Sequence, residues 1–306
     1  MGTGFKGYKI HEQDQNGKRE TTLWIDDKIY KTYYSKKIIE KIIERKGLDR
    51  APKYLSNKNE RARYLQPLFN QLNINIKRKL RVLEVGCSSG HITEYLNHQE
   101  SINEIHTFDI DSEFVEITKL KVKELNLDKV IKVLKLSNKT SLNLPYKDNY
   151  FDLVIVLAVV EHLPYENRHM YVDEYYRVLK LNGMIGFYDT PNKYFPIEMH
   201  SIGLPFVSLL PPQIAYIYAR LFYKHYRKID FPQFVRAGTV WRNSSYYELL
   251  PKTLMIDILD VSHEYGYIST NKLARIISKV SKVFGIPSSF FSPNLHVVFK
   301  KIKEYE

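Results

Sequence analysis

Apolar residues recur along this chain in two rhythms, one helical and one strand-like. Ser35 to Lys46 sets Ile38, Ile39, Ile42 and Ile43 on one helical face, with Gly47 as a stop signal. Asn57 to Gln71 repeats the helical period with Tyr64, Leu65, Leu68 and Phe69. From residue 81 onward, short apolar runs alternate with amphipathic segments. Arg81 to Val85 predicts a first strand, Ile105 to Ile110 a second, Val130 to Leu136 a third, Phe151 to Leu157 a fourth and Met184 to Asp189 a fifth. His91 to Asn97, Glu113 to Leu125 and Tyr165 to Leu179 predict the helices between them. The run from Phe151 to Leu157 is almost continuously apolar, as a parallel strand buried on both faces requires. Later segments predict a helix at Ser244 to Leu250, a sixth strand at Met255 to Val261, an amphipathic helix at Asn271 to Phe284 and a last strand at Leu295 to Lys301. This order predicts an α/β fold with a mostly parallel seven-stranded sheet, right-handed crossovers and helices on both faces.

Four regions follow from the same pattern. Residues 1–79 predict an arm and a helical cap, with 1–35 irregular. Residues 80–190 predict the core. Residues 191–243, rich in proline and aromatics after the fifth strand, predict an insertion on the open side of the sheet. Residues 244–306 return to the sheet.

Composition narrows the classes. Among 306 residues, 44% are hydrophobic and 26% charged, as in a folded chain. The net charge of +12 favours anionic partners: nucleic acid, anionic lipid or a phosphorylated molecule. The tightest basic cluster, Lys77, Arg78, Lys79 and Arg81, precedes a predicted buried strand and reads as a solvated connector. The single cysteine, Cys87, excludes a disulfide framework and a four-cysteine zinc site within the chain. The polar N-terminal residues lack a signal-peptide core, and Lys6 stands where a myristoylation signal needs Ser or Thr, so a cytoplasmic location is expected. Ile202 to Tyr223 is the most apolar stretch, but Pro205, Pro211, Pro212 and Arg220 interrupt it as a membrane span.

The chemistry concentrates at strand ends. Val82-Leu83-Glu84-Val85-Gly86-Cys87-Ser88-Ser89-Gly90 reads as strand, glycine turn and helix start, the arrangement that lets backbone approach a nucleotide-like ligand. The G-x-G-x-x-G dinucleotide fingerprint is absent. Phe108-Asp109-Ile110-Asp111 ends the second strand, about twenty residues beyond the turn, where a carboxylate can accept from both hydroxyls of a ribose. Asp111 reads as a helix cap. Leu144-Pro145 with Phe151-Asp152-Leu153-Val154, then Ala158-Val159-Val160-Glu161-His162, then Arg177-Val178-Leu179-Lys180-Leu181-Asn182-Gly183, follow in order. Gly183 suits a left-handed helix cap.

Together these segments resemble the class I, Rossmann-like S-adenosylmethionine-dependent methyltransferases. The resemblance implies that Glu84, Gly86, Cys87, Ser88, Gly90, Asp109, Ile110 and Ala158 line the cofactor site. Asp109 is then the ribose ligand and Ile110 packs on adenine. Family members often carry glycine at the position of Ser88. The residue that meets the adenine amine, often Asp after the third strand, is here Ser137 or Asn138. Cys87 reads as a small packing residue in that turn.

The implied reaction is methyl transfer from S-adenosylmethionine, most readily to oxygen. A hydroxyl acceptor calls for a base, and His162 is a candidate, with orientation of the loop or cofactor as its alternative role. Asp189-Thr190-Pro191-Asn192 followed by Glu198 and His200 resembles methyltransferases of ubiquinone biosynthesis and small-RNA 2′-O-methyltransferases, which makes Glu198 and His200 acceptor-site candidates. Some of those enzymes hold a metal with E-x-x-E-H. Here Ala158 replaces the first Glu, and no metal is expected. The acceptor is read as a small molecule, a lipid-linked intermediate or a glycan. Two other readings stand beside it: an RNA methyltransferase, favoured by charge, and a cofactor-binding scaffold without catalysis. The Ile202–Tyr223 segment, followed by Lys224, His225, Arg227 and Lys228, is either a lid over the acceptor or an element in peripheral contact with an anionic membrane.

Overall fold

The computed structural model describes residues 7–15, 18–55, 62–75, 79–198, 201–236, 243–251, 254–260, 272–284 and 292–304. The chain divides into two compact units, Met1–Asn138 and Lys139–Glu306. The fold is Rossmann-like: the first unit contributes three parallel strands and a separate three-stranded sheet, and the second unit contributes four strands.

The first unit opens with that separate sheet, and here the expectation of an irregular arm is corrected. β1 (Tyr8–Gln15), β2 (Lys18–Ile25) and β3 (Lys28–Thr32) form an antiparallel meander, with Tyr8 opposite Ile25 and Ile25 opposite Lys28. The turn at Asp26 takes φ 50°, a conformation that short polar side chains tolerate. Leu23 and Ile25 pack with the buried isoleucines of α1 (Lys36–Lys46). Helix α1 starts as expected: Ser35 Oγ accepts from Ile38 N at 3.3 Å, and Gly47, at φ 79°, donates to Ile43 O at 2.8 Å. Each fully buried isoleucine contributes on the order of 1.5–3 kcal/mol. After α2 (Pro52–Leu55), the second expected helix appears as a 3₁₀ turn at Ala62–Tyr64 and α3 (Gln66–Asn75); residues 56–61 of that segment lie outside the described set.

β4 (Leu80–Val85), α4 (His91–Asn97), β5 (Ile102–Asp109), α5 (Ser112–Glu124) and β6 (Val130–Lys135) then alternate as the pattern predicts. The three strands are parallel, in the order β6-β5-β4, with Glu84 opposite Thr107 and Val85 opposite Phe108.

In the second unit, β7 (Phe151–Leu157) has the predicted bounds and is buried along nearly its whole length. A 3₁₀ turn at Tyr165–Asn167 leads into α6 (Arg168–Val178). β8 (Leu179–Pro191) begins earlier than expected, because the chain passes from helix to strand at Leu179. Gly183 is therefore not a helix cap. Asn182 takes the left-handed φ of 62°, and a Cβ at Gly183 would lie 2.8 Å from Lys180 O and from Leu179 Cδ1. The glycine is required by close packing. Arg177 explains why the Leu144–Asp152 segment and the helix end occur together. Its guanidinium bonds Glu174, Asp148 and the carbonyls of Tyr146 and Leu144.

The helix expected at 244–250 is a 3₁₀ turn, Tyr246–Leu249. α7 (Pro212–Phe222) and α8 (Phe231–Arg236) lie in the insertion, and β9 (Leu254–Asp260), α9 (Lys272–Val283) and β10 (Asn294–Glu304) complete the unit. The strand order is β7-β8-β10-β9. β7 and β8 are parallel, and β10 runs antiparallel to both neighbours. Lys301 on β10 is fully buried and donates to Asn149 Oδ1 at 3.1 Å, Tyr176 O at 3.0 Å and Leu179 O at 3.0 Å. Those three acceptors make its burial tolerable and tie β10 to the end of α6. Among the described residues, no helix is long and apolar enough to cross a membrane.

Candidate active site

In the first unit the candidate residues gather at the C-terminal ends of β4, β5 and β6. Gly86 (φ 77°), Ser88 (φ 46°) and Gly90 (φ 75°) place three left-handed residues within one short loop. At Ser88 a Cβ in this conformation costs roughly 1–2 kcal/mol. Hydrogen bonds from the neighbouring strand hold the loop. Gly86 N and Cys87 N both donate to Phe108 O at 3.0 Å, and Ser88 N donates to Asp109 Oδ2 at 2.8 Å. Thr118 of α5 donates to Ser88 O at 3.0 Å, and its Oγ1 would lie 3.1 Å from a Cβ at Gly90. The loop thus leaves no spare room at Gly90.

Asp109 is fixed from both sides, since its Oδ1 accepts from Asp111 N at 3.0 Å. Each carboxylate oxygen keeps a further lone pair for a ligand. Asp111 caps α5 as expected, accepting from Glu113 N at 2.9 Å and Phe114 N at 3.3 Å, and pairs with Arg45 at 2.6 Å. Ile110 is 48% exposed, an uncovered apolar side chain next to Asp109. Ser137 and Asn138 follow β6 and are exposed. Cys87 is buried, and burial pushes its thiol well above the usual range, so it behaves as a packing residue and not a nucleophile.

Glu84 carries the least expected electrostatics. It is 2% exposed, and burial raises its pKa to about 7. Thr93 Oγ1 donates to Glu84 Oε2 at 2.6 Å, while buried Oε1 has no hydrogen-bond partner among the described residues. A second polar cluster lies behind the loop. Lys121, fully buried, sits 3.5 Å from Glu94 Oε2 and 3.9 Å from the centre of the Tyr34 ring. Burial lowers its pKa to about 8. Tyr33 and Tyr34, just past β3, both donate to Glu94, Tyr34 at 2.8 Å. The meander that the hydrophobic pattern missed is thereby bonded to the helix that begins at Gly90.

In the second unit the strand ends are strained in the same manner. Ala158, after β7, takes φ 52° and donates to Tyr188 O at 2.9 Å. Asp189, near the end of β8, takes φ 54°. Non-glycine residues in this region cluster where structure serves a ligand. The turn Val160–His162 follows Ala158. The His162 side chain is 61% exposed, with Nε2 3.9 Å from Oε1 of buried Glu161. Asp189 Oδ1 accepts from Asn294 Nδ2 at 2.7 Å, and Asp189 N lies 3.4 Å from His296 Nδ1. Asn294 and His296 escaped the sequence reading because they sit in a strand distant in the chain. Their signal was the pairing of the last strand with the fifth.

Glu198 does not reach the acceptor-site role expected of it by geometry. It is 2% exposed, and its carboxylate accepts from the backbone N–H groups of Ser201, Ile202 and Gly203 and from Ser201 Oγ at 3.1 Å. That is a loop anchor. His200 lies outside the described residues. Among the described residues no three His, Cys, Asp or Glu side chains gather as a metal site.

Residues 83–187 match the family described as a methyltransferase domain, and this span holds the glycine loop, Asp109, Ala158 and His162. The span is a methyltransferase domain. An uncharacterised protein of Haemophilus influenzae is 31% identical over 109 residues, which cover 36% of this chain and 42% of that protein. Demethylmenaquinone methyltransferase of Staphylococcus aureus is 24% identical over 162 residues, 53% of this chain and 62% of that enzyme. The matches span less than two thirds of either relative. Among solved structures, an S-adenosylmethionine-dependent methyltransferase of Aquifex aeolicus is 21% identical with a TM-score of 0.39, covering 59% of this chain and 87% of its own. The cofactor that the sequence resemblance implies is S-adenosylmethionine. The first unit fits it: a loop open to close backbone approach, a carboxylate held ready at a strand end, and a buried acceptor atom left to a ligand donor.

Proposed function

We propose that this methyltransferase moves the methyl group of S-adenosylmethionine to a hydroxyl oxygen of a small-molecule, lipid-linked or glycan acceptor. The observation that carries the proposal is His162, exposed on the turn that follows Ala158 and backed by the buried carboxylate of Glu161 at 3.9 Å. The cofactor, when bound, supplies a methyl group already activated by its sulfonium. The chain's work is then to hold, orient and deprotonate. Glu84, Gly86, Cys87, Ser88, Gly90, Asp109, Ile110, Ser137, Asn138 and Ala158 hold the cofactor, Asp109 through the ribose hydroxyls. His162 takes the hydroxyl proton, and Glu161 favours the imidazolium that results. No metal takes part, because Ala158 stands where a carboxylate ligand would be needed. We place the reaction in the cytoplasm, where a lone buried thiol stays reduced.

The test is turnover with radiolabelled cofactor across hydroxylated lipids, glycans and RNA. His162→Ala should lower turnover about a hundred to ten thousandfold, leave cofactor affinity intact and erase the acidic limb of the rate profile. Labelling of RNA alone would establish the 2′-O reading instead. Cofactor binding with no labelled product from any class would favour a scaffold. Inhibition by a chelator, reversed by a divalent ion, would overturn the metal-free reading.

A further inference from the structure

In the second unit, helix α7 is built with its size order reversed. Its buried positions are the small residues Ala215 and Ala219, each fully covered. Its large apolar residues face solvent: Ile214 is 52% exposed, Ile217 60%, Leu221 66% and Phe222 63%. Positions 214, 217 and 221 share one helical face. A helix that only stabilised its own unit would bury the isoleucines and expose the alanines. The small residues pack with Ile202, Leu204, Val207 and Phe234, so the outward face is a surplus over what that core uses.

The segment that carries this face has charge of one sign. Residues 199–229 contain no Asp or Glu, and they carry Arg220, Lys224, Arg227 and Lys228, all exposed. Helix α9 repeats the arrangement independently. Ile276, Val280 and Val283 form an exposed stripe, 53% to 82% open, with Phe284 beside it, and Lys272, Arg275 and Lys279 are exposed along the same helix. Residues 265–303 also contain no acid.

We propose that the outer faces of α7 and α9 dock the protein onto an anionic lipid surface. Exposed aliphatic and aromatic side chains enter the boundary between headgroups and acyl chains, and the lysines and arginines meet the lipid phosphates. A protein partner's groove would satisfy the apolar side chains but gives no reason for two long acid-free segments. The proposal rests on these surfaces and is independent of which atom is methylated.

Flotation with phosphatidylcholine vesicles, with and without phosphatidylserine, tests it on the full chain. The wild type should float only with phosphatidylserine and be released by high salt. The charge variant is Lys224→Gln, Lys228→Gln and Lys279→Gln. Arg227 is left intact because it donates to Arg220 O and Leu221 O. With roughly fivefold affinity per charge, this variant should bind about a hundredfold more weakly. The apolar variant, Ile217→Gln with Leu221→Gln, changes only exposed side chains and should also lose flotation while its circular dichroism is unchanged. Absence of flotation with either vesicle would overturn the proposal. So would flotation that both variants retain. Sedimentation gives the third outcome: a dimer that the apolar variant dissociates, with no lipid binding, would make the surface a contact between copies and refute lipid docking. None of these readouts depends on methyl transfer.

Discussion

Glu84 ties stability to pH in a direction opposite to that of most carboxylates. Burial raises its pKa from 4.5 to about 7. Below pH 4.5 both folded and unfolded chains carry the proton, and the contribution to stability is full. Between 4.5 and 7 the folded chain holds a proton that the unfolded chain has released, so stability falls as pH rises. A shift of 2.5 units at 1.36 kcal/mol each gives about 3 kcal/mol lost across that window. Glu84→Gln keeps an acceptor for Thr93 and has no proton to release. Urea unfolding of cofactor-free protein at intervals from pH 4.5 to 7.5 should show the wild type sloping downward relative to the variant by that amount. Any constant offset between the two curves is irrelevant. Lys121 does not interfere, because its window lies above its lowered pKa of about 8. Parallel curves would refute the buried, neutral state of Glu84. A linked result concerns the ligand. Cofactor binding that draws the carboxylate into its charged form should release about one proton per site near pH 6, measurable by calorimetry in buffers of different ionisation enthalpy.

Asp109→Ala should weaken cofactor binding by roughly 1–3 kcal/mol, the scale of hydrogen bonds to a charged group, and unchanged affinity by calorimetry in a folded variant would remove the ribose assignment. Ser88→Gly should stabilise the protein by about 1 kcal/mol toward urea, since glycine takes the left-handed conformation without strain; a loss of stability would mean that the Ser88 side chain supports the loop. Gly183→Ala should destabilise the second unit, because its Cβ would press on Lys180 O at 2.8 Å, and thermal unfolding measures it.

The core strands were legible because parallel strands buried on both faces leave continuous apolar runs, as Phe151 to Leu157 does. The meander was not, because β1 and β3 are mostly polar and only one face of the small sheet is covered. The glycine loop and the strand-end acid bonded to it could be placed from residue types, since the two have few other uses in that order. Which bonds hold it could not: Thr118 reaches Ser88 O from another helix, a contact that the sequence does not encode locally. Glu198 was misjudged for a related reason. A carboxylate near a strand end has the same letter whether it faces a ligand or closes a turn over Ser201 to Gly203. Gly183 suggested a cap, and the strand it belongs to begins five residues earlier than the apolar pattern implies.

The position of β10 bears on how the second unit is assembled. It follows β9 in the chain yet lies between β8 and β9, so β9 has no strand to join until β10 has been synthesised. Until then β8 presents an open edge to the cell, and the carbonyls of Tyr176 and Leu179 wait for the ammonium of Lys301. A chain truncated before residue 294 should therefore leave this half of the sheet unfinished, which limited proteolysis of the truncated protein would measure.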